Sequence, residues 1–169
     1  NASMLSREFG SHLTGRNIEF RLYPFSFSEF LNFKHISENA ADFTMKNVIK
    51  NAFNEYVEKG GFPEYLENEK EEYLKTVYEN ILYRDIIARY NVSQKQLKEV
   101  MYLAASNIGK EVSFNSMKKT VQLSSATTIR EYFEYLENSF LCFLIPSYSA
   151  SLKKQIYYNK KIYLIDVAL

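Results

Sequence analysis

Apolar positions recur at helical spacing along most of this chain, and only short stretches alternate as a strand would. Val48, Ile49, Ala52, Phe53 and Tyr56 trace a stripe that predicts a helix ending at Gly60-Gly61. Leu74, Val77, Tyr78, Ile81 and Leu82 trace a second, with Asn68 as its N-cap, Glu69, Glu71 and Glu72 at its positive end, and Asn91 as its stop after Tyr90. Ser26-Phe27-Ser28-Glu29 has the capping-box pattern and opens a helix through about Phe33. Met4 to Leu13 reads as a short helix between Ser3 and Gly15. Ile18, Phe20 and Leu22 alternate with polar residues, the period of a half-buried strand, which Pro24 stops.

From Ser93 the helices shorten. Ser93 and Gln96 open one carrying Leu97, Val100, Met101 and Ala104, which Gly109 closes. Ser113 caps a second with Phe114, Met117 and Val121, and Ser125 a third with Ile129, Tyr132, Phe133 and Leu136. Two strand-like runs follow, 140–145 and 156–165, around the turn-rich Pro146-Ser147-Tyr148-Ser149. Three helices and a β-hairpin is the order of a winged-helix domain. The fold class expected is mainly α with minor β.

Composition narrows the function. With 46% hydrophobic and 24% charged residues, 169 residues suffice for a packed core. A net charge of +1 excludes a generally polybasic protein. One cysteine, Cys142, and two histidines, His12 and His35, cannot build a zinc cage, so no metal site is expected. The apolar run 140–145 is far short of the roughly 20 residues of a membrane helix. No membrane partner and a cytoplasmic setting are therefore expected. The start at Asn1-Ala2-Ser3 and a strand-like stretch near the last residue suggest an excised piece of a longer protein.

Three motifs tempt and fail. Gly10 to Asn17 has P-loop spacing, but Arg16 and Asn17 replace its lysine and hydroxyl, and helix precedes strand. Tyr83-Arg84-Asp85 echoes a kinase catalytic loop, yet Tyr90 stands where that pattern needs Asn. No serine sits in a nucleophile elbow, and neither histidine has a neighbour to orient it.

Charge is unevenly spread. Residues 91–169 hold 10 Lys+Arg against 6 Asp+Glu, whereas 1–90 hold 11 against 14. Lys118, Lys119, Lys153, Lys154, Lys160 and Lys161 make the C-terminal part a candidate contact for duplex DNA. Glu131, Glu134 and Glu137 oppose that reading, since they occupy the helix that would meet phosphate. The alternative is a protein-interaction scaffold that docks through Tyr and Phe.

Several strings in order resemble one family. They are Leu13-Thr14-Gly15-Arg16, Tyr23-Pro24-Phe25-Ser26-Phe27-Ser28-Glu29-Phe30-Leu31, Gly60-Gly61-Phe62-Pro63-Glu64, Ile81-Leu82-Tyr83-Arg84-Asp85-Ile86-Ile87 and Lys161-Ile162-Tyr163-Leu164-Ile165-Asp166. Together they are similar to prokaryotic AAA-type ATPases with a C-terminal domain of unknown function. The resemblance implies that residues 1–66 are the edge of an ATPase core plus a helical lid, 67–92 a connecting helix, and 93–169 a winged helix with the start of a restriction-endonuclease-like domain. It also implies an arginine-finger role in trans for Arg16, a lid turn at Gly60, Gly61 and Pro63, and homo-oligomers of a full-length ATP hydrolase. ATP and Mg would be cofactors of that parent, with none in the fragment itself.

Overall fold

Where the helical stripes fall decides most of the architecture. The computed structural model describes residues 20–37 and 43–169, which divide into two compact units. One comprises Arg21–Tyr78 and the tetrapeptide Asp166–Leu169; the other comprises Glu79–Ile165 with Phe20. Helices dominate, and the described strands form a single three-stranded antiparallel sheet. Among the described residues no helix is long and apolar enough to cross a membrane. The proposed helix at Met4–Leu13, together with His12 and Arg16, lies outside the described residues.

The first unit is built on rings. Helix α1 (Phe27–Phe33) starts from the expected capping box: Glu29 N–H donates to Ser26 Oγ at 3.4 Å, and Ser26 N–H donates to Glu29 Oε2 at 2.8 Å. That hydrogen bonding holds the Glu29 carboxyl below its ordinary range. Helix α2 (Phe43–Lys59) and the short α3 (Pro63–Asn68) supply the other walls. Phe30, Leu31, Ala52 and Leu66 are buried, and Phe25, Phe27, Ile36 and Tyr56 pack against them. The Tyr56 ring lies 5.3 Å from Phe30 and 5.5 Å from Phe27, while its hydroxyl donates to the Phe25 carbonyl at 2.7 Å. A half-buried phenol gains from such a partner.

The turn after α2 is the tightest joint in this unit. Gly60 has φ +73°, and a Cβ there would stand 1.8 Å from Asp166 Oδ1. A Cβ on Gly61 would stand 2.2 Å from the Phe25 carbonyl oxygen. Both positions therefore need glycine, one for conformation and both for space. Phe25 N–H donates to the Gly61 carbonyl at 2.7 Å. Gly61 N–H donates to Asp166 Oδ2 at 2.7 Å, and Ala168 N–H to Asp166 Oδ1 at 2.8 Å. Burial raises the Asp166 carboxyl above its usual range despite these two donors. Pro63 fills the first helical position of α3, where its missing N–H costs nothing.

The expected helix from Asn68 to Tyr90 is interrupted and changes pitch. Asn68 is not its N-cap: it ends α3 and donates through Nδ2 to the Glu64 carbonyl. Glu69 turns left-handed at φ 52°, and α4 (Glu71–Asn80) begins afresh. The boundary between the units falls within α4. A π-helical segment, Ile81–Ile87, follows, then the single turn α5 (Ala88–Tyr90), closed by Asn91 at φ 50°. Leu82 and Ile86 are fully buried four residues apart, a spacing that does not betray the wider π winding in sequence. Tyr83, Arg84 and Asp85 are thus helical, not a catalytic loop. Phe20 to Leu22 form no strand, and Phe20 and Leu22 are exposed. Alternation yields a strand only where a neighbouring edge accepts its hydrogen bonds.

The second unit has an aliphatic centre. Its elements are α6 (Gln94–Ser106), β1 (Glu111–Val112), α7 (Phe114–Val121), α8 (Ala126–Asn138), β2 (Cys142–Pro146), α9 (Leu152–Tyr157) and β3 (Lys160–Leu164). Strand order is β1-β3-β2, with Val112 opposite Lys160 and Leu144 opposite Ile162. Leu97, Val100, Ala104, Ile129, Phe133, Leu136, Cys142 and Ile162 have no exposed surface. Ser93 and Ser125 accept from Gln96 N–H and Thr128 N–H as expected, whereas Ser113 stands at an N-cap position without a side-chain bond. Two expectations are corrected. The last strand starts at Lys160 instead of residue 156, because 152–157 wind into α9. Strand β1 was not foreseen: two residues are too few to show a period.

Candidate functional site

Chemistry-bearing side chains of the second unit gather where α7, α8 and the β2–β3 connection meet. A cleft of about 330 Å³ there is lined by Phe114, Asn115, Thr127, Arg130, Asn159 and Lys160, among others. The first turns of α7 and α8 point their residues into it, and no carboxylate is among its described lining residues. The Arg130 guanidinium lies 5.8 Å from the Phe114 ring centroid, a cation–π contact. Among the described residues, no carboxylate lies within ion-pairing distance of Arg130. Lys160 Nζ donates to the Gln155 carbonyl at 3.0 Å and to the Ile156 carbonyl at 3.4 Å, closing the last turn of α9. Partial burial lowers the Lys160 ammonium, and the Arg130 charge lowers it further against a smaller opposing pull from Glu137.

The carboxylates and the thiol nearby serve the fold. Glu137 is half-buried, and its Oε1 accepts from Leu144 N–H at 2.8 Å, holding α8 to β2. Burial raises its carboxyl above the ordinary range. Cys142 is buried with its thiol pushed up to about 12, which leaves no thiolate for nucleophilic work near neutrality. Tyr135 of α8 stacks on Tyr90 with centroids 3.9 Å apart.

The six lysines singled out in the sequence are spread over several elements. Lys118 and Lys119 end α7, where they favour its macrodipole. Lys153 and Lys154 are exposed on α9. Lys160 and Lys161 are neighbours on β3 and face opposite sides of the sheet, Lys160 half-buried and Lys161 exposed. Gly60, Gly61 and Pro63 form the joint described above in the other unit, and Arg16 lies outside the described residues. Arg130 carried no role in the sequence reading. Its signal is slight: a lone arginine in an acidic helix, five residues after the N-cap Ser125.

A run of apolar side chains beside the cleft is open to solvent. Tyr148 is 93% exposed and Leu152 74%, and Ile145, Ile156 and Tyr158 are also exposed. All five lie on or beside the connection between β2 and β3.

The described residues define a mainly helical class with one small antiparallel sheet. The chain belongs to the family described as Domain of unknown function (DUF8612), whose model matches residues 50–169. It is 31% identical over 177 residues to an uncharacterized protein of Haemophilus influenzae, covering 100% of this chain and 43% of that protein. It is also 31% identical over 176 residues to an uncharacterized protein of Methanocaldococcus jannaschii, covering 98% and 40%. The chain thus spans less than half the length of these relatives. No solved structure matches it. These findings correct the expected membership of the AAA-type ATPases: the matching family has no assigned function, and neither relative is described as an ATPase. The ATP, Mg, arginine-finger and lid-turn expectations rested on that resemblance alone. The expectation of DNA binding is likewise withdrawn, since nothing in the family or relatives points to it and the lysines are divided among several elements.

Proposed function

We propose that this chain is a protein-interaction module, and that the β2–β3 connection docks on another segment of a longer polypeptide of the kind its relatives represent. One observation carries the reading: Ile145, Tyr148, Leu152 and Ile156 stand in solvent within twelve residues, while the core beneath is complete without them. Apolar groups gathered in this way mark association surfaces. Lys153 and Lys154 between them favour an acidic rim on the other side. The relatives supply the occupant, because more than half of each lies outside the matched region. The order helix–strand–helix–helix–strand–strand, with β3 between β1 and β2, supports a winged-helix arrangement in which α9 takes the place of a simple wing loop.

The test uses the Haemophilus influenzae relative cut into its matched and unmatched parts. The two should associate with weak salt dependence, and serine at the positions aligned with Tyr148 and Leu152 should weaken association about tenfold or more. Failure of the parts to associate, or self-association of the matched part alone, would contradict the assignment. So would binding of random duplex DNA with a steep salt slope.

A further inference from the structure

The cleft between α7, α8 and the β2–β3 connection has a composition that its role in the fold does not explain. Two cations border it. Arg130 has no carboxylate partner among the described residues, and Lys160 spends two of its three donors on carbonyls of α9. Residues with neutral side-chain donors accompany them, since Ser113, Asn115, Thr127 and Asn159 line the same space. The Ser113 hydroxyl is not consumed by a cap bond, unlike those of Ser93 and Ser125. The Phe114 ring and Ile156 give the cleft an apolar side.

Two like charges brought together lose stability unless something answers them. The field of Arg130 works against protonation of Lys160, and Glu137, which pulls the other way, is engaged with Leu144 N–H. Glu131 and Glu134, also on α8, are exposed and do not line the cleft. An anion seated between the cations would relieve this repulsion with charge-assisted hydrogen bonds. A guanidinium beside hydroxyl and amide donors suits the several oxygens of a phosphate monoester or a carboxylate. The aromatic side suits a ligand that carries its oxyanion on an apolar body.

We propose that this cleft is a binding site for an oxyanion borne on an apolar group, held by Arg130 with Lys160, Asn115, Thr127 and Asn159. The ligand is either a free small molecule or a side chain of the docked segment, and the chemistry of the contact is the same. The site rests on the docking reading only for the second source. Ile156 and Tyr158 belong to both surfaces, whereas Arg130 belongs to the cleft and Tyr148 and Leu152 to the docking surface.

Amide chemical-shift titration of the whole chain distinguishes the sources, with phenyl phosphate as one probe and N-acetyl-glutamyl-phenylalanine amide as the other. Saturable shifts at Asn115, Thr127 and Asn159 with phenyl phosphate support a free ligand; the same shifts with the dipeptide alone support a side chain. In either case Arg130→Gln should weaken binding about tenfold, while Lys119→Gln should leave it unchanged. Arg130 is exposed, so its variant keeps the fold, which circular dichroism verifies. The double variant Tyr148→Ser, Leu152→Ser should bind the probes normally even if docking is lost, which separates the two proposals. Binding indifferent to Arg130→Gln, shifts scattered over the surface lysines, or no saturable binding by either probe at low salt would overturn the site.

Discussion

The two units spend their chemistry differently. In the unit of Arg21–Tyr78 and Asp166–Leu169, the polar groups of the glycine joint and several of the charges are used inward or among themselves. Asp166 receives Gly61 N–H and Ala168 N–H, Tyr56 reaches the Phe25 carbonyl, and Lys34 and Lys59 share Glu55, with Lys59 also pairing Glu69. In the unit of Glu79–Ile165, the centre is buried and largely apolar, while Arg130 borders a cleft and Tyr148 and Leu152 stand in solvent. A unit whose polar groups are satisfied internally is a platform. Both units expose apolar side chains, Leu22, Phe53 and Val57 of the first among them. The second adds a cleft that gathers the Arg130 guanidinium and Lys160 beside its exposed run, a combination suited to binding.

The contrast can be broken most sharply at the centre of each unit. Phe133 and Phe30 have no exposed surface, so alanine at either should cost about 3–5 kcal/mol. Native-state hydrogen exchange should report the Phe133→Ala loss at the amides of α6 and α8, and the Phe30→Ala loss at those of α1 and α2. A smaller effect comes from glycine. Gly61→Ala forces a Cβ against the Phe25 backbone and should cost about 2 kcal/mol or more. Gly109 has nearly the same φ as Gly60, +72°, but nothing within 4 Å of an added Cβ, so Gly109→Ala should cost only the backbone strain of about 1–2 kcal/mol. Thermal or urea unfolding of the two variants ranks them.

These glycines also show how far the sequence could be read. Paired glycines after an apolar stripe announced the end of α2, and Asn91 announced the end of α5, because both are local signals of a left-handed residue. The capping residues Ser26, Ser93 and Ser125 were legible for the same reason. Asn68 misled: a side chain able to cap a helix can equally close one, and only Glu69 turning left-handed decides which. Asp166 stood in a quoted string with no role, since its partner Gly61 is 105 residues away. Of the cleft, Lys160 was singled out and Arg130 was not. Their convergence depends on how α8 packs against the β2–β3 connection, which no local pattern encodes.

A gentler probe of the platform is pH. The folded Asp166 carboxyl is raised above its ordinary value of 3.8, so its contribution is fully present below that pH and is lost as pH rises through the elevated value. The lowered Glu29, Glu55 and Glu69 act in the opposite sense, losing their contribution as pH falls through their depressed values. The stability of the native chain minus that of Asp166→Asn should therefore decline from about pH 3.8 upward, then level off. Urea unfolding across that range measures it. A difference that rises with pH would mean the two N–H donors outweigh burial at this carboxyl.

The smallest expected effect bears on the central claim, that the exposed residues of the β2–β3 connection are held for a partner and not for the fold. Equilibrium urea unfolding of Tyr148→Ser, Leu152→Ser tests it directly. Removing two large apolar side chains that already stand in water should change stability by less than about 0.5 kcal/mol. A loss of about 2 kcal/mol or more, the range of a core truncation, would show that these residues hold the second unit together and would contradict the account.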